Sequence, residues 1–212
     1  MKFLLALIPL SALPLTLFPA SVDPAAAQTD APAPEAAPDA AFAEAMQKAA
    51  KLTSPGERHA LLERFVGEWE TSSSVFFGGQ SGGAAPGTAE FHWKVPGRWI
   101  EGSFQGAMMG MSFETHSWLG YDNFKQSYVW TGISSADTAM NHAEGDLTQD
   151  GSSLLLYGTL DEYLTGEHDK MVKYAWRFLS DDEMVLEVHD LPIGEVNTKV
   201  VEFRYRRKDA GK

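Results

Sequence analysis

The sequence predicts an all-β protein: an antiparallel up-and-down β-barrel of about ten strands, preceded by a short N-terminal helix. Two observations carry this. From Gly67 onward, β-branched and aromatic residues alternate with polar ones in short segments, and no helical periodicity interrupts them. About ten such segments are more than an open sheet carries without curling.

The chain starts with Lys2, continues as an apolar run from Phe3 to Phe18 and reaches small residues at Ala25 to Ala27, the order of a secretory signal peptide over 1–27. Pro9, Pro14 and Pro19 interrupt that run, so a membrane anchor is the weaker reading and no stable span is expected after cleavage. Residues 28–53 form an alanine- and proline-rich tether, disordered at first because it lacks apolar surface to bury, with a weakly amphipathic helix over 39–52. Residues 54–207 are the folded domain and 208–212 a tail.

The chain contains no cysteine, so an exported product has neither disulfides nor thiolate ligands to rely on. Its net charge of −12, with basic residues scattered except at Arg204 to Lys208, argues against nucleic acid as a partner. Oligomeric state leaves no signature.

Ser54, Pro55 and Glu57 read as N-cap, first-turn proline and capping-box partner of a helix running to Arg64. Leu61, Leu62 and Phe65 share its apolar stripe, which suits it to cover the end of a barrel. The strands are expected at 68–77, 88–95, 98–105, 111–121, 125–134, 138–149, 152–162, 169–180, 183–190 and 196–207. Tight turns at Pro96–Gly97, 122–124, Asp150–Gly151 and Asp181–Asp182 alternate with longer joins at 78–87, 106–110, 135–137, 163–168 and 191–195. Because successive connections of a meander alternate ends, the long joins are expected to share one rim, the mouth, with the glycine-rich 78–87 as a flexible lid.

Side-chain alternation sets Trp69, Thr71, Ser73, Val75 and Phe77 inward, together with Phe91, Trp93, Val95, Val172, Tyr174, Trp176, Phe178, Met184, Leu186 and Val188. Phe113 reads as inward and Trp118 as outward, whereas alternation leaves Tyr128 and Trp130 unassigned.

The residues Phe65 to Trp69, Gly97–Arg98, Met109–Gly110, Phe113–Glu114, Gly120 to Asn123, Tyr128 to Trp130, Glu144–Gly145, Thr165–Gly166, and the closing Lys199, Glu202, Tyr205 and Arg206 resemble the domain of unknown function 1579 family. The resemblance covers roughly 61–207 and implies a bacterial, often exported, calycin-like barrel with no established activity. Gly67, Glu68 and Trp69 are also similar to the lipocalin signature, which implies a late basic residue, Arg204, Arg206 or Arg207, packed across the tryptophan ring to close the barrel.

The resulting expectation is a periplasmic or secreted protein that binds a small apolar or amphipathic molecule, with contacts from Phe77, Met108, Met109, Met111, Met140, Trp176 and Leu191. No catalytic residue is expected. The alternative is acid–base chemistry by His142 and Glu144 inside the barrel, in an isomerase, cyclase or hydrolase. Metal ligation by His116, His142 and His189 is disfavoured, because histidines beside glutamates on an outer strand face are usually solvated pairs. No cofactor is expected; haem, bound by a late histidine in the nitrobindin family, would require a bulge to turn His189 inward. A third reading makes Trp118 and Trp130 an exposed protein-interaction patch.

Overall fold

The computed structural model describes residues 39–162, 166–191 and 198–208. Residues 1–38, which hold the expected signal segment and the first part of the expected tether, lie outside them, as do 163–165, 192–197 and 209–212.

An α-helix, α1 (Ala40–Thr53), comes first, where the weakly amphipathic helix over 39–52 is expected. A 3-10 helix follows at Glu57–Arg64. Its start differs from the expected cap: Ser54 N–H closes the end of α1 on Ala50 O at 3.0 Å, leaving it unable to begin a second helix. The cap is instead a reciprocal pair, with Gly56 N–H donating to His59 Nδ1 at 3.0 Å and His59 N–H to Gly56 O at 3.0 Å.

Ten strands then run in order: β1 (Gly67–Phe77), β2 (Gln80–Val95), β3 (Trp99–Met108), β4 (Met111–Asp122), β5 (Ser127–Ser134), β6 (Met140–Leu147), β7 (Ser153–Glu162), β8 (Glu167–Phe178), β9 (Glu183–Asp190) and β10 (Thr198–Arg207). Each pairs antiparallel with its sequence neighbour, and β1 pairs with β10 to close the barrel. Trp69 stands opposite Arg207 in that closing pair.

Two of the long joins prove to be short. Residues 80–87 belong to β2, paired with β1, and the lid expected there is only the turn Gly78–Gly79. Both glycines have positive φ, 56° and 82°, the geometry that suits a right-twisted hairpin. Met109 and Gly110, with φ of 53° and 79°, make the equivalent turn between β3 and β4. Small residues kept the 80–87 pattern faint, yet the backbone pairing persists because the turn chemistry permits it.

The opposite end carries the other turns. Asp150 caps one of them by accepting from Thr148, Ser152 Oγ and Ser152 N–H, which hold its carboxyl down at about 2. The 3-10 helix lies across this end. Leu62 and Phe65 are fully buried, and the Phe65 ring meets Phe91, Trp176 and Phe178 at centroid distances of 5.7, 5.1 and 5.4 Å. Trp69 Nε1 donates to Phe65 O at 2.8 Å, and Tyr128 Oη to Arg58 O at 2.7 Å.

The basic residue over Trp69 is Arg207, its guanidinium carbon 4.2 Å from the ring centroid, with Nη1 donating to Val66 O at 2.7 Å. Arg204 and Arg206, also on the closing strand, do not pack on the Trp69 ring. Alternation sends Tyr205 and Arg207 inward and these two outward, where Arg204 meets Glu202 at 2.7 Å and Arg206 meets Glu70 at 2.8 Å.

Candidate functional site

With one end sealed, the space inside opens toward the rim where β1 turns into β2, β3 into β4 and β5 into β6. It is a cavity of about 760 Å³, within the range of about 300–1,000 Å³ usual for small-molecule sites.

Its existence follows from an uneven distribution of side-chain size. The inner faces of β8 to β10 carry Val172, Tyr174, Trp176, Leu186, Val188 and Tyr205, all buried. Across from them, β3 to β7 place Gly102, Thr115, Ser117, Gly132, Asn141, Ala143 and Gly158 on the inner face, in register with one another. Several of these small positions let an aromatic ring lie flat along the wall. A Cβ on Gly102 would meet the Phe91 ring at 2.5 Å, one on Gly106 the Phe104 ring at 2.6 Å, and one on Gly132 the Trp130 ring at 2.7 Å. The rings therefore rest on the wall instead of crossing the lumen, and the middle stays open.

Of the seven residues expected to contact a ligand, Phe77, Met108, Met109, Met111 and Trp176 line this cavity. Met140 does not: it pairs with Ile133 on the outer face of β5 and β6 and is 69% exposed. Leu191 lies just past β9, outside the lining, where its N–H donates to Met171 O at 3.1 Å. Trp130 and Tyr128, unassigned from sequence, both face inward.

The alternative acid–base pair is on the wrong side of the wall. His142 and Glu144 are 2.9 Å apart, but they share the outer face with Lys125, which also bonds Glu144. Lys125 first and His142 second hold the Glu144 carboxyl below its usual range, and more than half of the His142 side chain is in solvent. His116 also lies on the outer face of β4, and β5 separates it from His142. His189 faces out beside Glu187 at 3.4 Å, with no bulge turning it inward. No cluster of three or more metal-binding side chains occurs among the described residues. Trp118 faces out and Trp130 in, so they form no joint outer patch.

Polar chemistry enters the cavity in two places. Deep in the wall are the hydroxyls of Tyr174 and Tyr205 and the indole N–H groups of Trp130 and Trp176, all lining residues. Trp130 stacks on Tyr174 at 5.0 Å, and Trp176 on Tyr205 at 5.3 Å. None of these four polar groups hydrogen-bonds to protein among the described residues. Nor is any of them sealed off without a partner, a condition found there only for Thr71 Oγ1 and His189 Nδ1. They open onto the lumen instead. Burial pushes the Tyr174 phenol up to about 12, with the negative charge of Asp137 adding to it, and burial likewise raises Tyr205.

At the mouth stand Asp137, Asp161, Glu162 and Asp190. Lys170 bonds Asp190 at 2.8 Å, and this hydrogen bond raises the lysine above its ordinary value. Sequence reasoning passed over these carboxylates because Asp161, Glu162 and Asp190 sit at strand ends and Asp137 on a connection, where alternation no longer reports direction.

Residues 54–207 match the family described as "Protein of unknown function (DUF1579)". The chain belongs to this family. No curated protein matches the chain in sequence. Among solved structures, this DUF1579 chain resembles the crystal structure of Rv2717c from M. tuberculosis at 10% identity and a TM-score of 0.54, covering 73% of this chain and 99% of that one. It is also similar to the S-type phycobiliprotein lyase CPES from Guillardia theta, at 12% identity and a TM-score of 0.47 over 74% of this chain and 99% of that one. The first likeness shows a shared barrel fold. Among the described residues of this DUF1579 chain, no helix is long and apolar enough to cross a membrane.

Proposed function

We propose that this DUF1579 protein is an exported binding protein that takes one small apolar or amphipathic molecule into its barrel through the end opposite the 3-10 helix. The observation that carries this reading is the cavity of about 760 Å³ whose wall holds four aromatic residues with polar groups left free of protein partners. Such groups are stabilised by whatever fills the space, and an occupant with matching acceptors does so better than scattered water. The apolar remainder of the wall, with Met108, Met109 and Met111 at the entrance, adapts to varied shapes. Export follows from the order of the N-terminal segment, and the absence of cysteine is compatible with it.

The test is saturable binding of the neutral fluorophore N-phenyl-1-naphthylamine. Wild-type protein is expected to enhance its emission with one site per chain. Ser117→Phe, which places a ring in the lumen from the inner face of β4, is expected to abolish the enhancement while leaving the unfolding midpoint nearly unchanged. Undiminished binding by Ser117→Phe would show that the fluorophore sits elsewhere.

A further inference from the structure

Resting on the binding reading above, we infer that the occupant carries a positively charged amine: its head lies between the mouth carboxylates and the Trp130–Tyr174 pair, and its apolar body extends toward Trp176 and Leu186. The cavity lining includes Asp137, Asp161, Glu162 and Asp190 but, among the described residues, no lysine or arginine. Asp190 is bonded by Lys170 and Asp161 lies 3.8 Å from His168, whereas Asp137 meets no cation among the described residues, so the mouth keeps a negative charge facing the lumen. A carboxylate or phosphate head would meet like charges where desolvation makes them costly, whereas an ammonium would meet opposite ones.

The aromatic wall points the same way independently of the carboxylates. Trp130 and Tyr174 stack at 5.0 Å with their planes 40° apart, forming a partly open corner that faces the lumen. The faces of indole and phenol attract a cation most strongly when water is excluded, and Tyr174 is only 7% exposed. Its hydroxyl, without a protein partner among the described residues, is free to accept a hydrogen bond from an ammonium N–H. Asp137, on the connection between β5 and β6, places a carboxylate near this corner and raises the Tyr174 phenol. Its Oδ1 also accepts from Ala139 N–H at 2.9 Å, so the side chain is held in place instead of swinging into solvent.

Displacement of N-phenyl-1-naphthylamine by dodecylamine, dodecan-1-ol and dodecanoate, each below its aggregation concentration at pH 7 and 150 mM salt, tests this. Dodecylamine is expected to displace the fluorophore at a concentration at least tenfold below that of dodecanoate, with the alcohol between them. Asp137→Asn keeps the acceptor for Ala139 N–H while removing the charge, and should shrink the preference to threefold or less. Trp130→Leu should weaken the amine more than the alcohol. Glu90→Gln, which removes the same charge from the outer face of β2, should change nothing. Equal or tighter displacement by dodecanoate overturns the inference while leaving the binding reading intact. An equal loss of preference in Glu90→Gln also overturns it, because the amine would then be responding to overall charge. Failure of the fluorophore itself to bind wild-type protein removes the binding reading first.

Discussion

The two ends of this barrel are built from the same kinds of residue and treat them differently. At the covered end, Trp69 Nε1 reaches Phe65 O, Tyr128 Oη reaches Arg58 O, and Trp93 Nε1 reaches Glu63 Oε2 at 2.9 Å. Around the cavity, Trp130, Tyr174, Trp176 and Tyr205 form the lining with their polar groups unmatched by protein among the described residues. A buried donor without a partner costs about 1–3 kcal/mol. Both halves pack aromatic rings against one another, so apolar burial alone does not distinguish them. What differs is who completes the hydrogen bonding: the chain itself at one end, and whatever occupies the lumen at the other.

The largest effect that would break this contrast is at the seal. Trp69→Ala removes a fully buried ring together with its hydrogen bond and the cation above it, and should cost about 3–5 kcal/mol in urea unfolding. Arg207→Ala should cost about 2 kcal/mol, because its guanidinium bonds backbone carbonyls as well as covering the ring. Arg206→Ala, which breaks only an exposed pair with Glu70, should stay within about 0.5 kcal/mol. A cost for Arg206→Ala equal to that of Arg207→Ala would contradict the assignment of the closing residue.

Substitutions in the open half should alter binding more than stability. Gly132→Ala displaces the Trp130 indole from the wall, and titration with N-phenyl-1-naphthylamine should show affinity falling about tenfold, equivalent to about 1.4 kcal/mol. Met109 occupies a left-handed conformation that disfavours ordinary side chains by about 1–2 kcal/mol, and its side chain is 58% exposed at the rim. Met109→Asn should therefore raise stability by up to about 1 kcal/mol while weakening the fluorophore. A gain in both would show that the methionine serves neither purpose.

The smallest effect is one of pH. Burial first, and the charge of Arg98 after it, lower the His59 imidazole despite opposing backbone hydrogen bonds. The unfolded chain thus takes up a proton before the folded one does, so stability is full above about pH 6.5 and falls as pH drops toward the lowered folded value. His59→Gln should flatten this part of the pH–stability curve, measured as urea midpoints between pH 7 and 5. An unchanged slope would assign it to other groups.

Strand number, alternation of the ends and the inward set on β1, β8 and β9 were legible because β-branched and aromatic residues alternate there without interruption. The first half of β2 was not: Gly82, Gly83, Ala84 and Ala85 present no alternation, and only their pairing with β1 makes them a strand. Met140 was misplaced because methionine is apolar on either face, and only its register with Ile133 settles which. The cavity itself had a signal that went unread. Gly102, Ser117, Gly132 and Gly158 fall at inward positions once each strand's parity is known, and a run of small inward residues facing large ones describes a space. The carboxylates of the mouth sit on strand ends and connections, where no periodicity reports direction.

The pairing of β1 with β10 has a consequence for how the chain comes to its structure. Trp69 and Arg207 meet across almost the whole length of the folded domain, and joining ends so distant in sequence is slow because the loop entropy is lost before the contact stabilises anything. Until β10 is in place, both β1 and β9 present bare edges that invite pairing with another copy. A chain shortened before Thr198 would therefore aggregate more readily than it would lose a ligand, and the last ten residues of the barrel act as its guard against self-association.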